Sequence, residues 1–498
     1  MTEIKPTSSA RWSILEPAEL PREPFATTQM AMLSGIMQRV FEPREIAVAP
    51  RPAARLARFV GAERLGRLQA TAASVRPALS GRRIWHVNST ANGGGVAEML
   101  HLLVAYAIDL GVDTDWIVID GDREFFEITK RLHNRLHGWS GDAGELGQAE
   151  RDHYRSVLRI NAEAAIFRVC PGDIVILHDP QTAGLARHFD ERGAIVAWRC
   201  HIGSDYSNGN TEEAWTFLLP HLAACRSFVF SRAAFVPPEL TKKDVWIIEP
   251  SIDPLSPKNR PLSPIRRREL LAQAGVLPGE RAVSKSAVLA GAGPFSSEDR
   301  VVAQVSRWDY LKDMIGVLHG FAEHVVGLSD ARLALVGPSV DGVADDPEAQ
   351  AVLEECLVAW EALPHRARRA VRLVALPMVD VVANALMVNA TQRHATVVVQ
   401  KSLQEGFGLT VTEAMWKSRP VVASAVGGIV DQVPEGTGVL LQDPRDLDVF
   451  GRTVRGLLAE PDQLPILGRR ARQQVRENFL TDRHLIDYAH FVEHLTAL

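Results

Sequence analysis

The sequence contains few cysteines, and their spacing excludes the sites that cysteines usually build. Four occur among the 498 residues, namely Cys170, Cys200, Cys225 and Cys356. Because no two of them form a C-x-x-C pair, neither a disulfide framework nor a cysteine-rich zinc site fits the chain. A reducing compartment is the simplest setting for such a protein, so we expect it in the cytoplasm.

The sequence also lacks an excess of basic charge and a long apolar run. Its formal net charge is −5, so it carries no basic field that would attract nucleic acid or an anionic membrane. The first residues, 1–9, do not show the basic-then-apolar order of a signal peptide. No apolar run approaches the roughly 20 residues that span a bilayer. We therefore expect small-molecule substrates, with neither nucleic acid nor a membrane as partner.

Two common nucleotide-binding fingerprints are absent as well. The loop Asn88–Gly95 follows a predicted strand and ends in three glycines, but it matches neither G-x-G-x-x-G nor a Walker loop. This absence disfavours a dehydrogenase or an NTPase. Consecutive glycines still allow backbone amides to approach a ligand, and the following helix start favours negative charge. A flexible turn is the alternative interpretation.

The length of the chain predicts several domains, and its pattern predicts two large ones. Strands alternate with helices in two series, as in βαβ units of parallel sheets. The proline-rich stretch Glu249–Pro264 separates the series. The predicted strands are Ile84–Asn88, Thr114–Ile119, Asp173–Leu177, Ile195–Arg199, Ser227–Phe230 and Val245–Ile248, then Val301–Ser306, Ala331–Val336, Val371–Ala375, Thr396–Gln400 and Pro420–Ser424. We predict an α/β protein with two Rossmann-like domains.

The predicted organisation has four parts. Residues 1–80 form an N-terminal extension in which Ala53–Ala78 is helical, and residues 81–252 form the first Rossmann-like domain. Residues 253–480 form the second domain, and residues 481–498 form a helix that returns to the first. Pro278–Arg300 is rich in small residues and is expected to be a loop or mobile insertion.

Two glutamates with seven residues between them surround a glycine-containing turn, Glu405-Gly-Phe-Gly-Leu-Thr-Val-Thr-Glu413. A predicted strand ends at Gln400, and Thr410–Trp416 has the pattern of a helix start. The backbone N–H groups of residues 406–409 then lie at the start of that helix, where they suit an anion or a ring of hydroxyls. Helix capping by acidic residues is the alternative.

Two cations follow the first strand of the second series. Arg307 and Lys312 leave its carboxyl end, where α/β sheets place their ligands. An arginine fork and a lysine point charge at that position can neutralise a diphosphate. The alternative is a pair of solvated surface charges.

Histidines also occur after predicted strands. His178 and His201 could donate to or accept from a sugar hydroxyl or a phosphate, and the alternative is a buried histidine with satisfied hydrogen bonds. His133 and His137 share one helix face, but no glutamate follows the first and no third ligand is evident. We therefore expect no metal site.

Taken together, these motifs resemble those of retaining glycosyltransferases of the GT-B fold, of the type of family 4, over most of residues 83–498. Narrower strings are similar to those of the trehalose glycosyltransferring synthases and the related trehalose phosphorylases. They are Trp85-His-Val-Asn-Ser-Thr-Ala-Asn-Gly-Gly-Gly-Val-Ala-Glu98, residues 120–134, His178-Asp-Pro-Gln181 and Gln400-Lys-Ser402.

The resemblance implies two Rossmann-like domains facing each other across a cleft, and it implies roles for individual residues. Arg307 and Lys312 would bind the diphosphate, Glu405 the hydroxyls of the donor glucose and Glu413 the ribose, with His201 beside the transferred sugar. The other implied donor-binding residues are Gly94, Gly95, Gly406, Phe407, Gly408, Leu409 and Met378, and the implied acceptor-binding residues are His178, Asp205 and Lys130.

The implied activity joins glucose from a nucleoside-diphosphate glucose, ADP- or UDP-glucose, to free glucose and forms α,α-trehalose reversibly. No cofactor is expected to be required, Mg²⁺ is expected at most to stimulate the reaction, and a homodimer is expected. Two alternatives stay open: a trehalose phosphorylase that uses glucose 1-phosphate, and a non-catalytic sensor of sugar nucleotides. Glu413 favours the nucleotide donor, because a ribose ligand has no purpose without a nucleotide.

Overall fold

The computed structural model describes residues 41–91, 94–165, 168–279, 288–340 and 347–497. These residues form two seven-stranded sheets, and helices pack on both faces of each sheet. The prediction of an α/β protein is confirmed. The strands of the first sheet are β1 (Arg44–Glu45), β2 (Ile84–Asn88), β3 (Thr114–Val118), β4 (Ile174–His178), β5 (Ile195–Cys200), β6 (Ser227–Phe230) and β7 (Asp244–Ile247). Those of the second are β8 (Val288–Ala290), β9 (Val301–Val305), β10 (Arg332–Pro338), β11 (Val371–Leu376), β12 (Val397–Gln400), β13 (Val421–Ser424) and β14 (Val439–Leu441).

The α-helices of the described residues alternate with these strands along most of the chain. They are α1 (Ala57–Val60), α2 (Ala62–Val75), α3 (Gly94–Asp109), α4 (Arg123–Leu136), α5 (Gln148–Ala165), α6 (Ala186–Glu191), α7 (Gly209–Leu218), α8 (Pro264–Gln273), α9 (Met314–His324), α10 (Pro347–Ala362), α11 (His365–Ala370), α12 (Val381–His394), α13 (Leu409–Trp416), α14 (Ile429–Gln432), α15 (Leu447–Ala459), α16 (Leu464–Asn478) and α17 (Thr481–Ala497). Within the described part of the chain, none of these helices is both long and apolar enough to cross a bilayer.

Each sheet reverses its strand order at one point. The first has the order β1-β3-β2-β4-β5-β6-β7 and the second β14-β13-β12-β9-β10-β11-β8. All pairings are parallel except those of the edge strands β1 and β8. The order therefore reverses between β2 and β4 in one sheet and between β9 and β12 in the other. Ligands of such sheets bind outside the carboxyl ends of the strands at these positions.

The strands that flank the reversal points are buried along their whole length. Alternate residues of β2 point into different cores, Ile84 into one and Trp85 into the other. The same holds for Val301 and Val302 of β9. Burial on both faces explains why these strands have continuous apolar runs rather than an alternating pattern.

Three short edge strands, β1, β8 and β14, were not predicted from the sequence. Arg44 of β1 pairs antiparallel with Val118 of β3, and Leu56 is fully buried, so residues 41–80 pack as part of the first domain. The expectation of a loop over Pro278–Arg300 is wrong for Val288–Ala290, which form β8. Residues 1–40 and 280–287 lie outside the described residues, as do the remaining expectations for them.

The C-terminal helix α17 packs against α2 of the first domain. Tyr488, Phe491 and Leu495 are buried there. Arg64 of α2 donates from two guanidinium nitrogens to the carboxylate of Asp482, at 2.7 and 2.8 Å. The C-terminal helix α17 therefore packs on the first domain, although it follows the second domain in the chain.

The packing of α16 leaves no room for a side chain at Gly468, and this predicts a stability difference between two glycine substitutions. A Cβ at Gly468 would overlap the backbone carbonyl of Ser418, whereas one at Gly456 of α15 would meet no atom within 4 Å. We expect Gly468→Ala to lower the free energy of unfolding by roughly 1–3 kcal/mol. The control Gly456→Ala should raise it by about 0.5–1 kcal/mol, because alanine loses less backbone entropy in a helix. Urea denaturation of both variants measures this, and equal effects would contradict the packing described.

Candidate active site

The carboxyl ends of the two sheets meet at two glycines. A Cβ atom placed on Gly406, after β12, would lie 2.6 Å from the carbonyl oxygen of His201, after β5. A Cβ on Gly95, in the first turn of α3, would lie 2.9 Å from Cδ1 of Leu409 at the start of α13. The first clash is with rigid backbone and the second with a flexible side chain. The two domains are therefore in close contact where the sequence analysis placed the donor.

An ion pair connects the two strands at the reversal point of the second sheet. Nζ of Lys312 lies 2.7 Å from both carboxylate oxygens of Glu405. The Ser402 hydroxyl also donates to Oε2 of Glu405, at 3.1 Å. The two charged side chains are 17% and 12% exposed, so the pair is shielded but open to a ligand. A carboxylate so placed suits the hydroxyls of a sugar.

The turn between Glu405 and α13 packs against Gly427 and Gly428, which follow β13. The Gly428 N–H donates to the carbonyl of Gly406 at 3.0 Å, and a Cβ on Gly427 would overlap the carbonyl oxygen of Glu405. Gly408 has φ +90°, a conformation that glycine adopts without strain. Because no side chain caps α13, the N–H groups of its first two residues are positioned to bind a ligand.

The other predicted phosphate-binding residue, Arg307, is 46% exposed. Its Nη2 lies 3.4 Å from Oδ2 of Asp309. Burial would raise the pKa of Asp309, but the charges of Lys130, Arg307 and Lys312 outweigh burial and hold the pKa below its ordinary value. A second anion such as a diphosphate would compete with Asp309 for the arginine.

Lys130, predicted to bind the acceptor, contacts the opposite domain. From α4 its Nζ reaches Oε2 of Glu348 at 3.2 Å and Oδ2 of Asp309 at 3.7 Å. Asp205, also predicted for the acceptor, accepts from the Gly427 N–H at 2.8 Å and pairs with Arg232. Both side chains fasten the two domains together in this structure.

Glu413, the predicted ribose ligand, is 3% exposed. Among the described residues, its Oε2 is a buried acceptor with no hydrogen-bond partner. Burial raises its pKa, and the charges of Lys258 and Lys417 oppose this rise. Buried acceptors are normally satisfied, so this oxygen suits a hydroxyl donor that the protein itself does not supply.

The rings of His178 and His201 are already hydrogen-bonded within the protein. Nε2 of His201 lies 2.9 Å from Nδ1 of His178, and Nε2 of His178 lies 3.0 Å from Nδ1 of His86. Arg199 donates to Nδ1 of His201 at 3.4 Å. Sequence reasoning weighed satisfied burial as the alternative for both residues. What His201 presents to Gly406 is its backbone carbonyl.

Met378, predicted to bind the donor, borders an open apolar surface. Its sulfur accepts from Nδ2 of Asn384 at 3.2 Å. The next residue, Val379, is fully exposed. Exposed valines continue into the start of α12, at Val381 and Val382.

The structure also brings to this region two residues, Asp179 and His137, that were not predicted as site residues. Oδ1 of Asp179 accepts from the N–H of His201 at 2.8 Å, and burial raises the pKa of Asp179 to about 7. Nδ1 of His137 bonds to the carbonyl of Gly203 at 2.9 Å. Burial lowers the pKa of His137 to about 4, with Lys312 lowering it further and Glu405 opposing. Asp179 directly follows His178 in the motif that ends at Gln181. His137 belongs to the His133 and His137 pair, for which no metal site was expected.

Two family models match the chain. One, described as the N-terminal domain of trehalose synthase, matches residues 86–237. The other, described as glycosyl transferases group 1, matches residues 382–474. The two matches fall in different domains, one in each sheet's half of the cleft.

Trehalose synthase of Pyrococcus horikoshii is 33% identical over 450 residues, which cover 90% of this chain and 98% of that protein. The chain belongs to the trehalose synthase family. Trehalose synthase of Rubrobacter xylanophilus is 35% identical, over 85% of this chain and 92% of the relative. Trehalose phosphorylase of Pleurotus pulmonarius is 27% identical, over 74% of this chain but only 51% of its own length. The family resemblance stated from the motifs is confirmed, and the protein is an enzyme, a hexosyltransferase.

Solved structures show the fold. The crystal structure of α,α-trehalose 6-phosphate synthase from Burkholderia multivorans matches with a TM-score of 0.60 at 15% identity. The match covers 84% of this chain and 98% of that one. The predicted GT-B fold is confirmed. The roles of individual site residues remain predictions.

The buried histidines of the family member described here predict a pH dependence of its stability. His137 is neutral when folded because its pKa is about 4, whereas it takes up a proton near pH 6.5 when unfolded. The stability due to burying the neutral ring is therefore complete above about pH 6.5 and is lost as the pH falls toward about 4. We expect His137→Asn, which keeps an N–H donor for Gly203, to reduce the pH slope of the unfolding free energy by up to ~1.4 kcal/mol per pH unit in this window.

Urea titrations at a series of pH values measure that slope. The exposed His490, replaced in His490→Asn, is the control and should leave the slope unchanged. Identical slopes for the two variants would show that folding does not lower the pKa of His137.

Proposed function

We propose that this enzyme joins glucose from a nucleoside-diphosphate glucose to free glucose with retention at the anomeric carbon, and so forms α,α-trehalose reversibly. Two features support this proposal. The relatives named trehalose synthase share a third of their residues with the chain over nearly their whole length. The site also combines a sugar-binding carboxylate with cations for a diphosphate.

The observation that carries the choice of donor is the buried Oε2 of Glu413 without a partner. A nucleotide brings ribose hydroxyls that can donate to such an oxygen, whereas glucose 1-phosphate carries no ribose. The unmet acceptor is costly unless a ligand satisfies it. It therefore favours a nucleotide sugar over the phosphorylase alternative.

The ion pair between Lys312 and Glu405 supports a reaction in which Glu405 binds the sugar and does not attack it. Both of its oxygens accept hydrogen bonds from Lys312, and one accepts a third from Ser402. A carboxylate with these donors is a weak nucleophile. We therefore propose same-face transfer, in which the acceptor hydroxyl attacks the anomeric carbon as the bond to the diphosphate oxygen breaks. That oxygen takes the proton of the hydroxyl.

In this scheme the protein contributes position and charge. Arg307 and Lys312 stabilise the negative charge that develops on the leaving diphosphate. The contacts of Lys130 with Glu348 and of Asp205 with Gly427 hold the domains together, so that water is kept from the donor. No cofactor enters the scheme, and Mg²⁺ would act only as a stimulant through the donor phosphates. We also propose a homodimer.

The reverse reaction tests the donor. Purified protein is incubated with trehalose and, in separate reactions, with ADP, UDP, GDP or inorganic phosphate, and the activated glucose released is identified by mass. We expect a nucleoside-diphosphate glucose from at least one nucleotide and none from phosphate. Release of glucose 1-phosphate with phosphate alone would establish the phosphorylase, and no product with any of them would contradict the proposed reaction.

Two substitutions should separate donor binding from leaving-group stabilisation. Glu413→Gln should raise the KM for the nucleotide sugar by roughly ten- to a hundredfold with little change in kcat, since ribose contacts are equal in ground and transition states. Arg307→Ala should instead lower kcat by about a hundredfold or more. The exposed Arg445, replaced in Arg445→Ala, is the control for Arg307. Near-normal kcat in Arg307→Ala would remove the leaving-group role from this residue.

A further inference from the structure

A chain of buried hydrogen bonds runs from the cleft into the first domain beneath the C-terminal helix. It comprises Arg199, His201, His178 and His86, joined by ring contacts of 3.4, 2.9 and 3.0 Å in that order. His178 and Arg199 are partners in the register of β4 and β5. All four side chains are buried. We call this set the histidine chain.

The arginine fixes the direction of every hydrogen bond in the chain. A guanidinium only donates, so Nδ1 of His201 must accept and the hydrogen of that neutral ring sits on Nε2. That N–H then donates to Nδ1 of His178, which places the hydrogen of His178 on Nε2 as well. The same step repeats at His86. One permanently charged residue at one end therefore selects the same tautomer at all three rings.

Arg199 is itself held in place. Its Nη1 donates to the Tyr488 hydroxyl of α17 at 2.6 Å, and its Nη2 donates to the carbonyl of Ile248 at 3.0 Å. The guanidinium also lies over the ring of Tyr488, 5.1 Å from its centroid. With Nε on His201, each nitrogen of the guanidinium has an acceptor.

We propose that Arg199 is a positioning residue that holds His201, His178 and His86 in the neutral Nε2–H form, so that no ring nitrogen of His201 or His178 can take a proton from the acceptor sugar. This inference rests on the proposed same-face transfer, in which the leaving diphosphate is the only base. The histidine chain also has a structural role. It fixes the backbone of His201, whose carbonyl faces Gly406.

Protonation of any ring would break the chain, because an imidazolium has no acceptor nitrogen. Burial is the main reason that the pKa values of all three histidines lie below the ordinary value, and the charge of Arg199 lowers each further. The same two causes act on the neighbouring His484 of α17. Without the guanidinium, the rings would gain both a second tautomer and a higher proton affinity.

Four other titratable groups face the chain. The carboxylate of Asp179 lies beside the histidine chain, and it accepts a hydrogen bond from the backbone N–H of His201 and not from a ring. Tyr488 accepts from Arg199, and His484 bonds through Nδ1 to the hydroxyl of Ser251 at 2.9 Å. Arg483, also on α17, lowers the pKa of His484 further. None of the four supplies a charge that would favour an imidazolium in the chain as strongly as burial and Arg199 disfavour it.

The test combines a direct view of the tautomers with a pH profile. In the unaltered protein carrying ¹⁵N-labelled histidine, the ring nitrogen shifts should report Nε2–H for three rings whose pKa values lie below the ordinary value of histidine. This reading needs neither substrate nor substitution. A different tautomer at any of the three positions would overturn the proposal even if trehalose is formed.

In Arg199→Met, kcat for trehalose cleavage with a nucleoside diphosphate should acquire an acid limb, falling at least about tenfold between roughly pH 7.5 and 5.5. The ring nitrogen shifts of His201 or His178 in the labelled variant should titrate over the same range, because a limb caused by Asp179 would leave both rings neutral. Arg199→Lys keeps a donor and a charge, so it should show no such limb. Arg372→Met removes another buried arginine, on β11 of the second sheet, and is the matched control. A loss of activity in Arg199→Met by one factor at every pH would reduce Arg199 to a packing role.

The experiments distinguish failure of the proposed function from failure of the proposed role of Arg199. Absence of trehalose cleavage in the unaltered protein would remove the proposed function and leave the NMR reading of the tautomers intact. If Arg199→Met does not fold, Tyr488→Phe, which keeps the ring and removes one acceptor from the guanidinium, is expected to show a smaller acid limb. A pH profile of Tyr488→Phe identical to that of the unaltered protein, together with a mixture of tautomers in the labelled protein, would overturn the proposal.

Discussion

The ion pair between Lys312 and Glu405 is the interaction on which the site depends. Each residue follows one of the two strands, β9 and β12, that flank the reversal of strand order in the second sheet. Neither side chain is positioned by its own loop alone. The carbonyl of Lys312 accepts from Gln304 at 2.7 Å, and the Ser402 hydroxyl that supports Glu405 accepts from Gln400 at 2.9 Å. The pair is therefore positioned by two glutamine side chains of the sheet, one from β9 and one from β12.

Contact between the domains depends instead on a missing side chain. Gly406 of the second domain lies against the backbone carbonyl of His201 in the first. Any larger residue at Gly406 would force that backbone away. The ionic contacts around it, such as that of Lys130 with Glu348, are partly exposed and are each of modest strength. Shape fixes the distance between the domains, and charge holds them there.

The sequence was sufficient for the elements that are long or buried on both faces. Ile84–Asn88 and Ser227–Phe230 begin and end where the apolar runs do. The edge strands Arg44–Glu45, Val288–Ala290 and Val439–Leu441 were missed because strands of two or three residues carry no periodicity. The site residues could be predicted from their residue type and their position after a strand. Their hydrogen-bond partners could not. Both ring nitrogens of His178 are hydrogen-bonded, one to His86 and one to His201. These contacts depend on the register of β2, β4 and β5, which the sequence does not show.

The position of α17 has a consequence for how the chain folds during synthesis. This helix covers one face of the first domain through Tyr488, Phe491 and Leu495, yet it is translated after every strand of the second sheet. The second domain has all its strands before α17 leaves the ribosome, while the first still exposes the apolar surface that α17 will cover. Domains usually mature in the order in which they are made. Here the first domain to be made is the last to be completed, and Arg199 meets Tyr488 only at that final step.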